Sequence, residues 1–171
     1  MQGFVQVYTG DGKGKTTAAL GLALRAAGAG LKVYIGQFIK NADYSELRTL
    51  RRLSDYITIE QFGQGCCLLS ASDQADIDAA RQALATIGER LASGAFDLVI
   101  ADEINVACAL GLLSEDDLLA LMARRPKTVE LVLTGRGAPP SVIARADLVT
   151  EMRAIKHYYD QGVLARKGME S

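Results

Sequence analysis

Short apolar segments alternate along this chain with longer segments in which apolar residues recur every three or four positions. The short segments predict strands at 4–9, 31–38, 57–61, 96–101, 129–133 and 148–152. The longer ones predict helices at 16–27, 44–53, 73–93 and 139–146, and a further helix that begins with Ser114 as its N-cap. Because strand, helix and strand follow one another repeatedly, this order predicts an α/β protein with a mainly parallel sheet of about six strands.

The unusual residues of the sequence follow the predicted strands. In parallel sheets, ligands bind beyond the carboxyl ends of the strands. That rule brings the segments 10–17, 38–41, 102–105 and 134–137 to one edge of the sheet. We therefore expect the functional site at this edge.

The composition excludes several classes of protein. The 171 residues suit a single domain spanning 1–171, and 49% hydrophobic with 23% charged residues is typical of a globular chain. A net charge of −1 provides no basic field for binding nucleic acid. The apolar runs are far shorter than the ~20 residues of a membrane span, and the first residues lack the features of a secretory signal. We therefore expect a cytoplasmic protein with neither nucleic acid nor membrane as a partner.

The chain has three cysteines, of which Cys66 and Cys67 are adjacent and Cys108 stands apart. They form no C-x-x-C pair, which argues against a zinc site or a redox motif. We expect reduced, partly buried thiols.

The segment 10–17 reads Gly-Asp-Gly-Lys-Gly-Lys-Thr-Thr and joins the first predicted strand to the first predicted helix. Its glycines allow the backbone N–H groups to point inward, and the helix N-terminus adds partial positive charge. In such a loop Lys15 reaches phosphate oxygens and the Thr16 hydroxyl binds Mg²⁺. The usual pattern, G-x-x-x-x-G-K-[ST], has glycine where Thr9 stands. The order of strand, loop and helix nevertheless predicts a phosphate site rather than an ordinary glycine-rich turn.

The apolar run at 96–101 ends in Asp102 and Glu103. A buried strand that delivers a carboxylate beside a phosphate loop is typical of nucleotide sites, because Mg²⁺ takes oxygen ligands from one or two carboxylates and from the phosphates. The alternative is an acidic strand end that caps a following helix. The phosphate loop favours the Mg²⁺ interpretation.

Several longer motifs together identify a family. They are Y-T-G-D-G-K-G-K-T-T-A-A from Tyr8, Q-F-I-K from Gln37, L-V-I-A-D-E-I-N from Leu98, L-T-G-R-G from Leu133, A-D-L-V-T-E-M from Ala146, and I-K-H, D-Q-G-V and K-G from Ile155 onward. In this combination the chain resembles the P-loop ATP:corrinoid adenosyltransferases over nearly its whole length, including their shortened glycine spacing. Asp11 stands where many members have Asn. The resemblance implies a RecA-like P-loop fold, a three-layer sandwich.

The resemblance also implies a reaction. The 5′-deoxyadenosyl group of ATP moves to the Co(I) of a reduced corrinoid, tripolyphosphate leaves, and adenosylcobalamin or its precursor forms. The corrinoid supplies the nucleophile, while the protein binds and orients the reactants. An electron-donating reductase as partner and a homodimer are implied as well. Several members carry an N-terminal extension that covers the partner's site, and that cap is not expected here because the chain begins at its first strand.

Site residues carry over from the resemblance position by position. Lys15, Arg136 and Glu103 are the catalytic candidates, with Lys15 and Arg136 stabilising the charge of the triphosphate. Thr16 and Glu103 are the expected Mg²⁺ ligands, and Asp102 is a second carboxylate candidate. The residues expected to bind ATP are Thr9, Gly10, Asp11, Gly12, Lys13, Gly14, Lys15, Thr16, Thr17, Arg25 and Arg136.

The corrinoid pocket departs from the pattern of some members, which place aromatic side chains after the segment matching 63–65 to help displace the lower cobalt ligand. Here that stretch is Cys66-Cys67-Leu68-Leu69. Three readings stay open: Leu68 or Leu69 acts as an apolar wedge, the pocket accepts corrinoids without that ligand, or the loop is simply variable. Cys66, Leu68, Leu69 and His157 are the candidate pocket residues. The chemistry requires no acid or base, so we expect a structural or corrinoid-contact role for His157.

Two other classes share these features. A RecA-like ATPase would use the same loop and acidic strand, with Glu103 activating water, and would release ADP and phosphate. A nucleotide-gated corrinoid-binding module would keep the loop without turnover. The intact set of Lys15, Thr16, Asp102, Glu103 and Arg136 favours the enzyme.

Overall fold

The apolar segments form six strands and the periodic segments form helices in a computed structural model, which describes residues 2–63 and 74–170. The strands are β1 Val5–Thr9, β2 Val33–Gln37, β3 Ile57–Gln61, β4 Leu98–Asp102, β5 Glu130–Thr134 and β6 Leu148–Glu151. The helices are α1 Lys15–Gly28, α2 Ser45–Leu50, α3 Gln74–Ala92, α4 Ile104–Ala109, α5 Glu115–Ala123 and α6 Pro140–Arg145. Single 3₁₀ turns cover Arg51–Leu53 and Tyr158–Gln161.

The six strands form one sheet in the order β3-β2-β4-β5-β1-β6, and every neighbouring pair is parallel. β5 therefore lies between β1, which leads into the glycine-rich loop, and β4, which carries the acidic residues. The carboxyl ends of these three central strands meet at one edge, as the sequence predicts. This arrangement is an α/β P-loop sandwich, and it confirms the predicted fold class.

Helices cover both faces of the sheet, because strand residues alternate in direction and both sets are apolar. On one face α1 packs an alanine stripe, Ala19, Ala23, Ala26 and Ala27, against β2, β4 and β5. Small side chains allow this helix to lie close to the sheet and so hold the loop before it. The other face is covered by α3 to α6, with Ile87, Ile104, Leu118 and Val142 fully buried.

The predicted elements agree with the structure to within a few residues, with one omission. Ser114 caps α5 as predicted, and its side chain and that of Asp117 form a reciprocal capping box. The helix α4 is not among the predicted elements, because its six residues are too short to display a helical period. The predicted helix at 44–53 is shorter, since its last turn is 3₁₀.

Within residues 2–63 and 74–170, every helix is too short or too polar to cross a membrane.

Candidate nucleotide and metal site

Backbone hydrogen bonds connect the glycine-rich loop to the segment that follows β6. The Gly12 N–H donates to the Met152 carbonyl at 2.6 Å, and the Met152 N–H donates to the Thr9 carbonyl at 2.8 Å. A Cβ atom on Gly10 would lie 2.5 Å, and one on Gly12 2.7 Å, from the Met152 oxygen. The loop therefore needs glycine at both positions because another backbone passes directly against it.

A methyl group at Gly12 tests this contact. We expect Gly12→Ala to raise the KM for ATP at least about tenfold and to lower stability by about 1–3 kcal/mol, the usual cost of overpacking, because the loop or the Met152 backbone has to move. Steady-state kinetics and urea unfolding measure both effects. Gly21→Ala is the matched control: among the described residues, a Cβ atom there would meet no group within 4 Å beyond its own stretch of α1, so activity should stay unchanged and stability should rise by about 0.5–1 kcal/mol. An unchanged KM in Gly12→Ala contradicts the argument.

Lys15 begins α1 and its side chain folds back over the loop. Its ammonium donates to the Gly10 carbonyl at 2.6 Å and the Gly12 carbonyl at 2.7 Å, and the residue is buried. Burial and the positive charge of Arg136 lower the pKa of Lys15, against the opposing influence of Glu103 and Asp11. Lys15 and Arg136 both donate to carbonyls of this loop, so an anion bound at the loop would offset the repulsion between the two cations.

Arg136 and Thr9 connect the loop to the segment after β5. The Arg136 guanidinium donates to the Asp11 carbonyl at 3.3 Å, while the Ala138 N–H donates to the Thr9 hydroxyl at 3.2 Å. Thr9 replaces the first glycine of the usual pattern, and here its side chain serves as the acceptor that joins the two segments. These two hydrogen bonds therefore hold the glycine-rich loop and Arg136 in a fixed position relative to each other.

Asp102 lies at the end of β4, is 1% exposed, and accepts hydrogen bonds from four side chains. One oxygen, Oδ1, accepts from the hydroxyls of Thr16 at 2.9 Å and Thr134 at 2.7 Å. The other, Oδ2, accepts from Gln37 Nε2 at 3.0 Å and from the Lys40 ammonium at 2.7 Å. Both oxygens of this buried carboxylate therefore have hydrogen-bond partners, which fix its direction.

Glu103 has a left-handed backbone, φ 65°, which is uncommon for a residue with a side chain, and its N–H donates to Thr134 Oγ1 at 2.9 Å. It occupies the N-cap position of α4, but its side chain makes no capping hydrogen bond. The capping interpretation of the acidic strand end is therefore wrong for Glu103. Burial and the negative charge of Asp102 raise the pKa of Glu103, although Lys40, Lys15 and Arg136 oppose the shift.

The raised pKa of Glu103 predicts that its ionised form costs stability. The stabilising contribution of protonation is complete below the unfolded pKa and is lost as the pH rises through the folded pKa. We therefore expect Glu103→Gln, which stays neutral, to be more stable than the unsubstituted protein at pH 7, and this advantage to shrink as the pH falls to about 4. Thermal unfolding across pH 4–8 measures the difference. An advantage that grows at low pH contradicts the argument.

The structure brings most of the predicted phosphate and metal residues together and leaves others apart. Lys13 and Thr17 are exposed on the loop and first turn. Arg25 is exposed in the last turn of α1, ten residues after Lys15 and so roughly 15 Å farther along the helix axis. His157 lies at the N-cap of the last 3₁₀ turn, where its Nδ1 accepts the Tyr159 N–H at 3.1 Å. Cys66, Leu68 and Leu69 lie outside the described residues, and Cys108 is a free, partly buried thiol.

Four polar residues at this edge were given no individual role by the sequence: Gln37, Lys40, Asn105 and Thr134. The last three lie in segments that were predicted to reach this edge, whereas Gln37 does not. Gln37, Asn105 and Thr134 are fully buried, and all four lie at or just after the carboxyl ends of β2, β4 and β5. The sequence did contain a signal for such residues, namely a polar residue at the end of an otherwise apolar strand. A polar side chain in that position is buried only when it has a hydrogen-bond partner.

Comparison with known proteins shows the family of this chain. The family model described as ATP:corrinoid adenosyltransferase BtuR/CobO/CobP matches residues 1–171. A corrinoid adenosyltransferase of Pseudomonas aeruginosa is 39% identical over 99% of this chain and 84% of its own length. Corrinoid adenosyltransferases of Salmonella typhimurium and Escherichia coli are 35% and 33% identical over 99% of this chain and 86% of their own lengths. With a phosphate loop, a buried strand-end carboxylate and this similarity over its whole length, the chain belongs to the ATP:corrinoid adenosyltransferase family.

Proposed function

We propose that this enzyme transfers the 5′-deoxyadenosyl group of ATP to the Co(I) centre of a reduced corrinoid and releases tripolyphosphate. The observation that carries the proposal is the convergence of Lys15 and Arg136 on the glycine-rich loop beside the buried Asp102 network, in a chain of this family. Cobalt is the nucleophile and the ribose C5′ is the carbon attacked. The bond from C5′ to the triphosphate oxygen breaks as the cobalt–carbon bond forms.

The protein's part in this reaction is binding and charge stabilisation. The segment 9–17 holds the triphosphate, with Lys15 and Arg136 as its cationic partners and Arg25 as a more distant nucleotide contact. The leaving tripolyphosphate gains negative charge in the transition state, so cations fixed around it favour bond breaking at C5′. A nucleophile supplied by cobalt needs no general base, which agrees with the capping role of His157.

The residues around Thr16 suit Mg²⁺. A hydroxyl and two carboxylates, those of Thr16, Asp102 and Glu103, are hard oxygen donors of the kind that Mg²⁺ selects. The 2.9 Å between Thr16 Oγ1 and Asp102 Oδ1 also suits two adjacent ligands of an octahedral ion with bonds of about 2.0–2.1 Å. When bound there with ATP, Mg²⁺ neutralises phosphate charge. We propose Thr16 and Glu103 as ligands, with Asp102 orienting Thr16 or binding directly.

Two partners belong to the same proposal. A Co(I) substrate requires an electron donor, so a reductase supplies the reduced corrinoid. A homodimer is supported by the outer strand β6, all four residues of which are exposed, with Leu148 44% and Val149 40% accessible. Sedimentation equilibrium tests the dimer.

A corrinoid pocket formed by Cys66, Leu68, Leu69 and His157 is proposed from the family resemblance.

Product analysis tests the function. The protein is incubated without oxygen with MgATP and chemically reduced cobalamin, and the corrinoid spectrum and phosphate products are followed. We expect a light-sensitive adenosylated corrinoid and tripolyphosphate in equal amounts. ADP and phosphate without a cobalt–carbon bond would support the ATPase instead. If cobalamin does not react, cobinamide is tested next, because it lacks the lower ligand that the missing aromatic residues would help displace. Failure with both substrates overturns the proposal.

A further inference from the structure

Lys40 places a positive charge beside the oxygen donors that suit a metal ion. Its ammonium lies 2.7 Å from Asp102 Oδ2 and 3.2 Å from Thr16 Oγ1. The Lys40 side chain is 17% exposed and that of Asp102 2% exposed, so the pair is held largely out of water. This cation bridges the hydroxyl of the loop and the carboxylate of β4.

The backbone immediately before Lys40 adopts an unfavourable conformation, which brings the Lys40 side chain to this position. Ile39 has φ 65°, an outlier for a β-branched residue, and the Lys40 N–H donates to the Phe38 carbonyl two residues back, at 2.6 Å. A γ-turn with positive φ at its centre is rare and strained. Neighbouring contacts hold it: the Gly63 N–H donates to the Lys40 carbonyl at 3.0 Å, and the Phe38 N–H donates to the Asp102 carbonyl at 2.9 Å. Strain of this kind is retained where it positions a side chain.

We propose that Lys40 is a positioning residue whose ammonium, held beside the proposed metal ligands Thr16 and Asp102 in the nucleotide-free enzyme, disfavours the binding of free divalent cations there. Its ammonium neutralises Asp102 and keeps the carboxylate and Thr16 aligned until the metal arrives together with ATP. The triphosphate then offers the ammonium a new anionic partner, and the Tyr44 ring, whose centroid lies 5.7 Å from the ammonium, offers a cation–π contact. The inference rests on the proposed function, since it concerns the same site.

The test is Mn²⁺ binding to the nucleotide-free protein, measured by loss of the free-ion signal in electron paramagnetic resonance. We expect Lys40→Met to bind Mn²⁺ at least about tenfold more tightly than the unsubstituted protein, because a like charge has been removed from the ligands. Lys127→Met is the matched control, since it removes the same charge before β5, at the opposite edge of the sheet, and should not alter Mn²⁺ affinity. Adding Asp102→Asn to Lys40→Met should abolish the gain, which locates the ion at Asp102.

Lys40→Gln covers the case in which Lys40→Met does not fold, because an amide still donates to Asp102. Equal or weaker Mn²⁺ binding by the folded Lys40 variant overturns the inference, even if that variant has lost adenosyl transfer. The measurement contains neither ATP nor corrinoid. It therefore decides the role of Lys40 whether or not the unsubstituted protein transfers an adenosyl group.

Discussion

Replacement of Lys15 by alanine is expected to abolish adenosyl transfer, with a loss of kcat/KM of at least about 10³-fold, at the upper end of what a single oxyanion donor contributes. The Lys15 ammonium is buried against two loop carbonyls and lies near Arg136. The charge is fixed at that point because Lys15 begins α1 and its side chain folds back over the loop. Spectroscopic assay of adenosylated corrinoid under single-turnover conditions measures the loss.

Measurements of thermal stability and of corrinoid binding show whether the Lys15 variants lose activity because the charge is missing or because the protein unfolds. Burial lowers the pKa of Lys15, so the ammonium does not favour the folded state, and Lys15→Met, which keeps the aliphatic stem, should melt close to the unsubstituted protein. Corrinoid binding should persist in both variants. Lys127→Ala, at the opposite edge of the sheet, should retain full activity. Transfer at the normal rate by Lys15→Ala would exclude the phosphate role.

The second large effect is expected from Asp102→Asn, which should lower the free energy of unfolding by about 3 kcal/mol and reduce activity. Breaking a buried ion pair leaves the remaining charge without compensation, and Lys40 keeps slight solvent contact, which places the cost at the low end of the usual range. The amide also keeps only one acceptor oxygen, so either the two threonine hydroxyls or Gln37 and Lys40 lose the carboxylate oxygen to which they donate. Urea unfolding at pH 7 measures the loss.

Two comparisons test the reason for this effect. Asp43→Asn breaks an ion pair with Arg48 in which both side chains are more than half exposed, and should cost no more than about 1 kcal/mol. Asp102→Asn combined with Lys40→Met removes both charges and should recover much of the stability. A double variant as unstable as the single one would show that the ion pair is not the cause.

Local pattern was enough to predict most of the fold. Parallel strands buried on both faces are apolar throughout, and α1 and α3 are long enough to display their period, so their positions follow from neighbouring residues alone. The helix α4 was missed because it begins at the positive φ of Glu103 rather than at a polar cap, and six residues display no period.

The sequence by itself determined the family and the sheet edge at which the loop and acidic residues of the candidate site lie, because these depend on residue type and spacing along short segments. Only the tertiary structure decided which groups meet. Asp102 gathers Gln37, Lys40, Thr16 and Thr134 from the ends of β2 and β5 and the start of α1, and Met152 closes against Gly12 from the far end of the chain. These contacts depend on the strand order β3-β2-β4-β5-β1-β6. Packing of the whole sheet sets that order, and no local pattern encodes it.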